Sequence, residues 1–212
     1  TQFAYTPDAG DVPLVADMSS DICSRPVDVS KHAVIYAGAQ KNLGPSGVTV
    51  VILSPWAVER SRTVGQSRPG GLPSMLDYGL MVDKESLFNT PNTFGIYALE
   101  RVLNWIETEG GVEAMANLND EKAAHLYGAL DATDFWTPHA VDGSRSRMNV
   151  TWRGPSEELE KKFIAEADAA DMKALKGHRS VGGIRASTYN ACSMASVEAL
   201  VSFMKDFEAK NG

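Results

Sequence analysis

The chain has 212 residues, a net charge of −7, 43% hydrophobic residues and 22% charged residues. A chain of this length buries about 70% of its unfolded surface, so it can fold as one domain or two small ones without disulfides or a metal. The composition is that of an average globular protein and excludes a disordered tail, a collagen and a coiled coil. No apolar run approaches the roughly 18 residues of a membrane span, and the acidic balance argues against nucleic acid or an anionic membrane as a partner.

The two cysteines, Cys23 and Cys192, lie far apart and lack metal-ligand spacing. We expect both to be buried small hydrophobic residues in a reducing, cytoplasmic setting, and we expect no metal site. Residues 1–10 have neither a basic start nor an apolar stretch, so we expect no signal peptide.

The first third of the chain alternates apolar runs with polar loops, which is typical of an α/β fold. Residues 13–16 form a short apolar run that ends at Asp17, while residues 32–37 and 47–53 are nearly continuous and rich in β-branched residues. Such runs favour strands that are covered on both faces. The glycine-rich segment 38–47 is predicted to be a loop at a strand end, where α/β folds place ligands.

The next segment, residues 61–73, is polar with several glycines and prolines and is predicted to be an exposed loop. Helices then dominate. Residues 93–108 carry a wide apolar stripe that stops at Gly110-Gly111. A second helix is predicted over residues 112–130 and a strand over residues 148–152. Two more helices follow, one that begins after the N-cap Ser156 and runs to residue 170, and one over residues 193–210.

Strands and helices after about residue 140 suggest a small α+β unit. We therefore expect two domains, over residues 1–100 and 101–212, joined through the long helix that begins at Thr93.

Two residues at predicted strand ends point to chemistry. Lys41 has glycines on both sides that let the backbone approach a ligand, and a desolvated lysine becomes a nucleophile toward carbonyls. Asp17 ends an apolar strand, where an acid is costly unless it is paired. Pyridoxal phosphate needs such a pair, because a lysine forms its Schiff base and a carboxylate keeps its pyridine nitrogen protonated. The alternatives are a surface lysine in a turn and a capping aspartate.

These residues belong to longer motifs that follow one another along the chain. The motifs are VADMSS (15–20), SRP (24–26), VIYAGAQKNLGPSG (34–47), FNTP (88–91) and GHRSVGGIRAS (177–187). Together they resemble the phosphoserine aminotransferase family, in the class V group of fold-type I pyridoxal phosphate enzymes. The resemblance runs through nearly the whole chain. It implies an α/β fold, namely part of a fold-type I large domain with a mainly parallel sheet, plus a C-terminal α+β small domain.

The resemblance implies a role for each matching residue near the cofactor. Lys41 matches the Schiff-base lysine, Asp17 the aspartate that pairs with the pyridine nitrogen, and Gln40 a ligand of the cofactor phosphate. Asn89 and Thr90 match residues that reach the cofactor phosphate of the neighbouring subunit, which implies a homodimer with shared active sites.

The resemblance also implies a substrate site. His178 and Arg179 match residues that hold the substrate phosphate, and Arg185 matches the arginine that binds the α-carboxylate, for which its planar fork is suited. Taken alone, His178-Arg179 favours a solvated polar turn, and Asn89-Thr90-Pro91 favours a plain N-cap of the following helix.

The implied reaction moves the amino group of glutamate to 3-phosphohydroxypyruvate, giving 3-phosphoserine and 2-oxoglutarate, in serine biosynthesis and also in pyridoxine biosynthesis. The family enzymes are longer, and the residues that precede the matched part are absent here. We therefore expect a fragment that is unstable or inactive alone unless a second chain supplies the missing half. Alternatives are another class V activity, such as a serine–glyoxylate transaminase or a cysteine desulfurase, and a non-catalytic truncated module.

Overall fold

The computed structural model, which describes residues 1–179 and 181–212, divides into two compact units. The N-terminal unit comprises Pro7–Ile22 and Pro26–Thr108. The C-terminal unit comprises Thr1–Thr6, Cys23–Arg25 and Glu109–Gly212. The division therefore falls eight residues after the boundary drawn from the sequence, and two short early segments belong to the later unit.

Hydrogen bonds to distant residues explain why these early segments belong to the C-terminal unit. The Gln2 amide donates to the Ser144 carbonyl at 3.0 Å, and the Arg147 amide donates to the Gln2 side chain at 3.0 Å. The Asn190 side chain donates to the Cys23 carbonyl at 2.9 Å. Local sequence pattern cannot show such pairings, because the partners lie far along the chain.

The sheet of the N-terminal unit has three strands in the order β1-β2-β3, namely β1 (Val15–Asp17), β2 (Val34–Gly38) and β3 (Thr49–Leu53). Strands β1 and β2 are parallel, whereas β2 and β3 are antiparallel. The α/β class is confirmed, but the sheet expected to be mainly parallel is mixed in this chain. The short return from β2 to β3 accounts for the antiparallel pair, since parallel neighbours need a long crossover.

The strands of this sheet are not covered on both faces, so that expectation is wrong for this chain. Ile35 and Ala37 of β2 are buried, but Tyr36 between them is 37% exposed, and Ile52 of β3 is 40% exposed. An apolar run alone reports which side chains favour burial, not what covers them.

Three helices complete the N-terminal unit: α1 (Pro55–Ser67), α2 (Tyr78–Asp83) and α3 (Thr93–Thr108). The bounds of α3 are those predicted. The loop expected over residues 61–73 is wrong in its first half, because α1 continues to Ser67. The Ser54 side chain caps α1 by accepting from the Ala57 amide, and Pro55 occupies its first position. The polar residues that suggested a loop lie on this helix, where most of them are exposed.

The C-terminal unit packs three helices with an antiparallel sheet of order β4-β5-β6. Its elements are α4 (Gly111–Asp131), β4 (Thr137–Pro138), β5 (Asn149–Arg153), α5 (Glu157–Ala169), β6 (Ile184–Ser187) and α6 (Met194–Asn211). Each predicted helix and the predicted strand are confirmed to within about two residues. Ser156 caps α5 as predicted, by accepting from the Leu159 amide. No helix in the described part of the chain is long and apolar enough to cross a membrane.

Aromatic side chains form the centre of the C-terminal core. The Phe163 ring lies 5.2 Å from the rings of both Trp136 and Phe207, measured between centroids, and all three side chains are at least 97% buried. On β6, Ile184 and Ala186 are buried, so Arg185 between them projects toward the opposite face of the sheet. The core thus fixes the direction of a predicted site residue.

We predict that Phe163→Ala lowers the free energy of unfolding by about 3–5 kcal/mol, because it removes the shared partner of two aromatic contacts and leaves a cavity. Phe94→Ala is the matched control, since Phe94 is 73% exposed, and it should change stability by less than about 0.5 kcal/mol. Urea denaturation followed by circular dichroism measures both. Equal effects of the two substitutions would contradict the assigned core.

Candidate active site

Asp17 lies at the end of β1 and is held by the residue two positions later. Its Oδ1 atom accepts from the Ser19 amide at 2.9 Å and from the Ser19 hydroxyl at 2.6 Å. The Ser19 Oγ atom in turn accepts from the Gly38 amide at 3.1 Å. Ser19 therefore links the end of β1 to the end of β2. Asp17 is exposed in this chain, so these hydrogen bonds, rather than a buried counter-charge, orient its carboxylate.

The same contacts keep Asp17 ionised. The two hydrogen bonds from Ser19 are the main cause that lowers the pKa of Asp17 below its ordinary value, and smaller contributions come from the Tyr36 hydroxyl and the Lys41 charge. The negative charge of Asp17 raises the pKa of Tyr36, which lies opposite it in the parallel register. A depressed carboxyl pKa means that Asp17 carries its charge at neutral pH and loses it only as the pH falls through the lowered value.

Lys41 lies in the turn that follows β2, close enough to Asp17 for its charge to act on the carboxylate. The side chains of Ala39, Asn42 and Leu43 in this turn are buried, whereas Gln40 and Lys41 are exposed. The Leu43 amide donates to the Ala39 carbonyl at 2.9 Å, which closes a helical turn. This turn presents Gln40 and Lys41 outward. The expectation of a desolvated Lys41 is therefore wrong for this chain, because its side chain is exposed.

Gln40 folds back over the end of β2. A Cβ atom on Gly38 would lie 2.7 Å from the Gln40 Oε1 atom, so the Gln40 amide fills the space that glycine leaves open. Gln40, Lys41 and Asp17 therefore lie around the carboxyl ends of β1 and β2, the strand edge of the proposed site, where an amide, an amine and a carboxylate are available to a ligand.

Asn89 and Thr90 precede α3 in the same unit and are both exposed. The Asn89 side chain donates to the Thr90 carbonyl at 3.1 Å. Neither residue caps α3: that role belongs to Asn92, whose Oδ1 atom accepts from the Gly95 amide at 3.1 Å. The alternative of a plain N-cap at Asn89 or Thr90 is therefore wrong, and both side chains remain exposed to solvent.

The start of α3 packs against the end of the glycine-rich segment 38–47, which is named the Lys41 loop. A Cβ atom on Gly47 would lie 2.8 Å from the Asn92 Nδ2 atom, and one on Gly95 would lie 2.7 Å from the Val48 Cγ2 atom. These glycines permit the close approach of helix and loop. The chain segment that carries Asn89 and Thr90 therefore ends beside this loop, where α3 begins.

His178, Arg179 and Arg185 belong to the C-terminal unit. His178 and Arg179 are exposed in the turn that leads into β6; Ser180, part of the same motif, lies outside the described residues. Arg185 lies opposite Thr151 of β5 and is partly buried. Its Nε atom is buried and has no hydrogen-bond acceptor among the described residues. A buried guanidinium donor without an acceptor fits the binding of an anion.

Two residues that contact the Asp17 carboxylate, Ser19 and Tyr36, were not predicted from the sequence to have this role. The signal for Ser19 was present in the Asp-x-Ser spacing, which is typical of a side chain that bonds the backbone two residues later. Tyr36 had no such signal, because its place beside Asp17 depends on the strand register. Among the described residues no group of three His, Cys, Asp or Glu side chains has metal-binding geometry.

We predict that Ser19→Ala raises the pKa of Asp17 toward its ordinary value of 3.8, because it removes the hydroxyl hydrogen bond. A carboxyl-carbon NMR titration from acid to neutral pH measures the change. Asp28 provides an internal control, since it accepts from the Ser30 amide and hydroxyl at 3.0 and 2.6 Å in the same arrangement. Ser30→Ala should raise the pKa of Asp28 alone, and an unchanged Asp17 titration in Ser19→Ala would contradict the assignment.

Comparison with known proteins gives consistent results. The family model for aminotransferase class V matches residues 4–200. A phosphoserine aminotransferase from Desulfosudis oleivorans is 55% identical over 213 residues, which covers 100% of this chain and 57% of that protein. The chain thus spans little more than half the length of such a relative.

Solved structures are similar over the same share. Phosphoserine aminotransferase from Bacillus circulans subsp. alkalophilus superposes with a TM-score of 0.90 at 50% identity, covering 100% of this chain and 57% of the other. A pyridoxal phosphate-bound phosphoserine aminotransferase from Trichomonas vaginalis gives a TM-score of 0.87 at 39% identity, covering 96% of this chain and 56% of the other. With the family model matching most of its length, the chain belongs to the class V aminotransferase family.

Proposed function

We propose that this chain forms part of a pyridoxal phosphate-dependent transaminase that converts 3-phosphohydroxypyruvate and glutamate to 3-phosphoserine and 2-oxoglutarate. The observation that carries the proposal is the parallel pairing of β1 and β2, which brings Asp17, at the end of β1, and Lys41, in the turn after β2, to the same end of the sheet. Relatives at 50–56% identity that are phosphoserine aminotransferases support the substrate class. The reaction belongs to serine biosynthesis.

The residues at the strand edge fit the proposed cofactor. An amine, an ionised carboxylate and an amide are the donor and acceptor types that a phosphorylated pyridine aldehyde requires, and Ser19 fixes the carboxylate. When bound, pyridoxal phosphate supplies an aldehyde for amines and a cationic ring that withdraws electrons. Asp17 would hold the ring nitrogen in its protonated form, and Gln40 would bind the phosphate.

Lys41 would act twice. Its Nζ atom would bind the cofactor in the resting enzyme, and would then move a proton between the substrate α-carbon and the cofactor. The exposed position of Lys41 gives its side chain the freedom to alternate between these positions.

The substrate groups divide between two sets of residues. Arg185, with its unpaired buried Nε atom, would bind the α-carboxylate. His178 and Arg179 would bind the substrate phosphate. Asn89 and Thr90 would bind the cofactor phosphate of a neighbouring subunit, in a homodimer with shared sites.

The domain assignment is part of the same proposal. Residues 1–100 would be the C-terminal part of the cofactor-binding large domain, and residues 101–212 the small domain. We further propose a cytoplasmic location and a second role in pyridoxine biosynthesis, on a phosphorylated hydroxy-threonine.

Two alternatives predict different results. A serine–glyoxylate-type transaminase would turn over serine or alanine as well as phosphoserine, and a non-catalytic module would bind no cofactor. A cysteine desulfurase is disfavoured, because burial raises the pKa of the Cys23 thiol and so lowers the thiolate fraction that desulfuration needs.

We predict that pyridoxal phosphate followed by borohydride labels Lys41 before other lysines, because Asp17 stabilises a cationic ring beside it. Peptide mass spectrometry identifies the labelled lysine. Lys41→Ala should lose this label, whereas Lys31→Ala, an exposed lysine of the same unit, should keep it. Labelling of the Lys41→Ala chain equal to that of the wild type would sink the role given to Lys41.

We also predict that the 212-residue chain alone does not catalyse transamination of O-phospho-L-serine with 2-oxoglutarate, since its matched relatives carry further residues and Tyr36 and Ile52 remain exposed. Turnover should appear when the part of a curated relative that this chain does not match is added as a second polypeptide. Intact-mass measurement of the sample excludes a co-purified partner. Full turnover by the lone chain would contradict this prediction, and turnover of alanine equal to that of phosphoserine would favour the alternative substrate class.

A further inference from the structure

The turn that carries His178 and Arg179 is closed by its own backbone. The Gly177 amide donates to the Gly183 carbonyl at 2.9 Å, and the Gly182 amide donates to the His178 carbonyl at 2.7 Å. The Val181 amide also donates to the His178 carbonyl, at 2.9 Å. These bonds define a compact turn over the described residues 177–179 and 181–183, named here the 177–183 turn.

Glycines allow the turn to close. A Cβ atom on Gly177 would overlap the Gly182 carbonyl oxygen, which no side chain can tolerate. Gly183 has a φ of +70°, and a Cβ atom there would lie 2.8 Å from the Arg153 Cδ atom. The side chain of Arg153 therefore lies directly against the glycine pair at the end of the turn.

Arg153 connects this turn to a buried carboxylate. Its Nε atom donates to Glu160 Oε1 at 2.6 Å, while its Nη1 atom donates to the Val181 carbonyl at 3.2 Å. Glu160 is only 5% exposed and also accepts from the Gly154 amide at 3.1 Å. A carboxylate this buried needs a cationic partner, so Glu160 holds the guanidinium of Arg153 in one orientation.

The position of Arg153 in the fold suits this contact. It is the last residue of β5, whose neighbour β6 begins directly after the turn and carries Arg185. Its planar fork holds Nε and Nη1 in a fixed geometry, each on its own acceptor, whereas the single ammonium nitrogen of a lysine lacks that rigid arrangement. The contact thus fixes the turn to the sheet that carries the other substrate arginine.

We propose that Arg153, oriented by Glu160, is a positioning residue that fixes the 177–183 turn and so presents His178 and Arg179 to a phosphorylated substrate. The substrate part of this inference rests on the proposed function. Arg153 itself touches the turn and not the substrate, so it acts through the two residues that the turn presents.

Amide hydrogen exchange in the full chain tests the positioning role directly. Arg153→Lys retains a charge for Glu160 but removes the Nη1 atom that donates to the Val181 carbonyl, so the amides of Gly177, Val181 and Gly182 should exchange about tenfold faster. Amides in the core helix α6 should not change. Arg147→Lys is the matched control, because Arg147 is equally exposed at 38% and pairs with Asp120 at 2.5 Å. Unchanged exchange in the turn of Arg153→Lys would overturn the proposal.

A second measurement separates positioning from a purely structural effect. NMR titration with O-phospho-L-serine should show about tenfold weaker binding for Arg153→Lys, while L-serine, which lacks the phosphate, should bind wild type and variant alike. Equal loss for both ligands, or no loss for phosphoserine, would overturn the positioning role. If the wild-type chain bound neither ligand, the proposal that its 177–183 turn presents His178 and Arg179 to a phosphorylated substrate would be overturned. Turnover by the chain supplemented with the second polypeptide would still decide the proposed reaction, and the exchange measurement would still decide whether Arg153 fixes the turn.

Discussion

The hydrogen bonds made by Ser19 hold together the edge on which the proposed chemistry depends. Ser19 donates twice to Asp17 and accepts from Gly38, so one small side chain joins the ends of two parallel strands. Because the strands are parallel, their carboxyl ends meet at one edge, and Lys41 follows three residues beyond β2. Loss of this link would free both the carboxylate and the start of the lysine loop.

Buried polar side chains fix the loops of both units in a similar way. The Asn42 amide donates to the carbonyls of Ser20 and Ile22, at 3.3 and 3.1 Å, which holds the Lys41 turn from below. In the C-terminal unit the fully buried Lys122 donates to three carbonyls of the turn that follows β6, and desolvation lowers the pKa of its amine. Such donors take the place of the water molecules that these carbonyls lose when they are buried.

These anchors explain why exposed residues can still be well placed. Lys41 and Gln40 face solvent, but their neighbours in the turn are buried. Arg153 is more than a third exposed, yet its partner Glu160 is buried. In both cases a buried neighbour orients the functional side chain. The functional group itself stays exposed and can contact a ligand.

The sequence by itself determined the helices α3, α5 and α6, because apolar spacing and serine caps are local signals, and it identified the motifs that carry Asp17, Lys41 and Arg185. The N-caps Ser54 and Asn92 are local signals as well, which the loop predicted over residues 61–73 and the N-cap alternative at Asn89 and Thr90 overlooked. Only the tertiary structure decided that residues 1–6 belong with the C-terminal unit. Strand register places Tyr36 opposite Asp17. A hydrogen bond between residues far apart in the chain brings Arg153 to the 177–183 turn. Those placements depend on which distant backbone groups pair, and no local pattern of side chains encodes that choice.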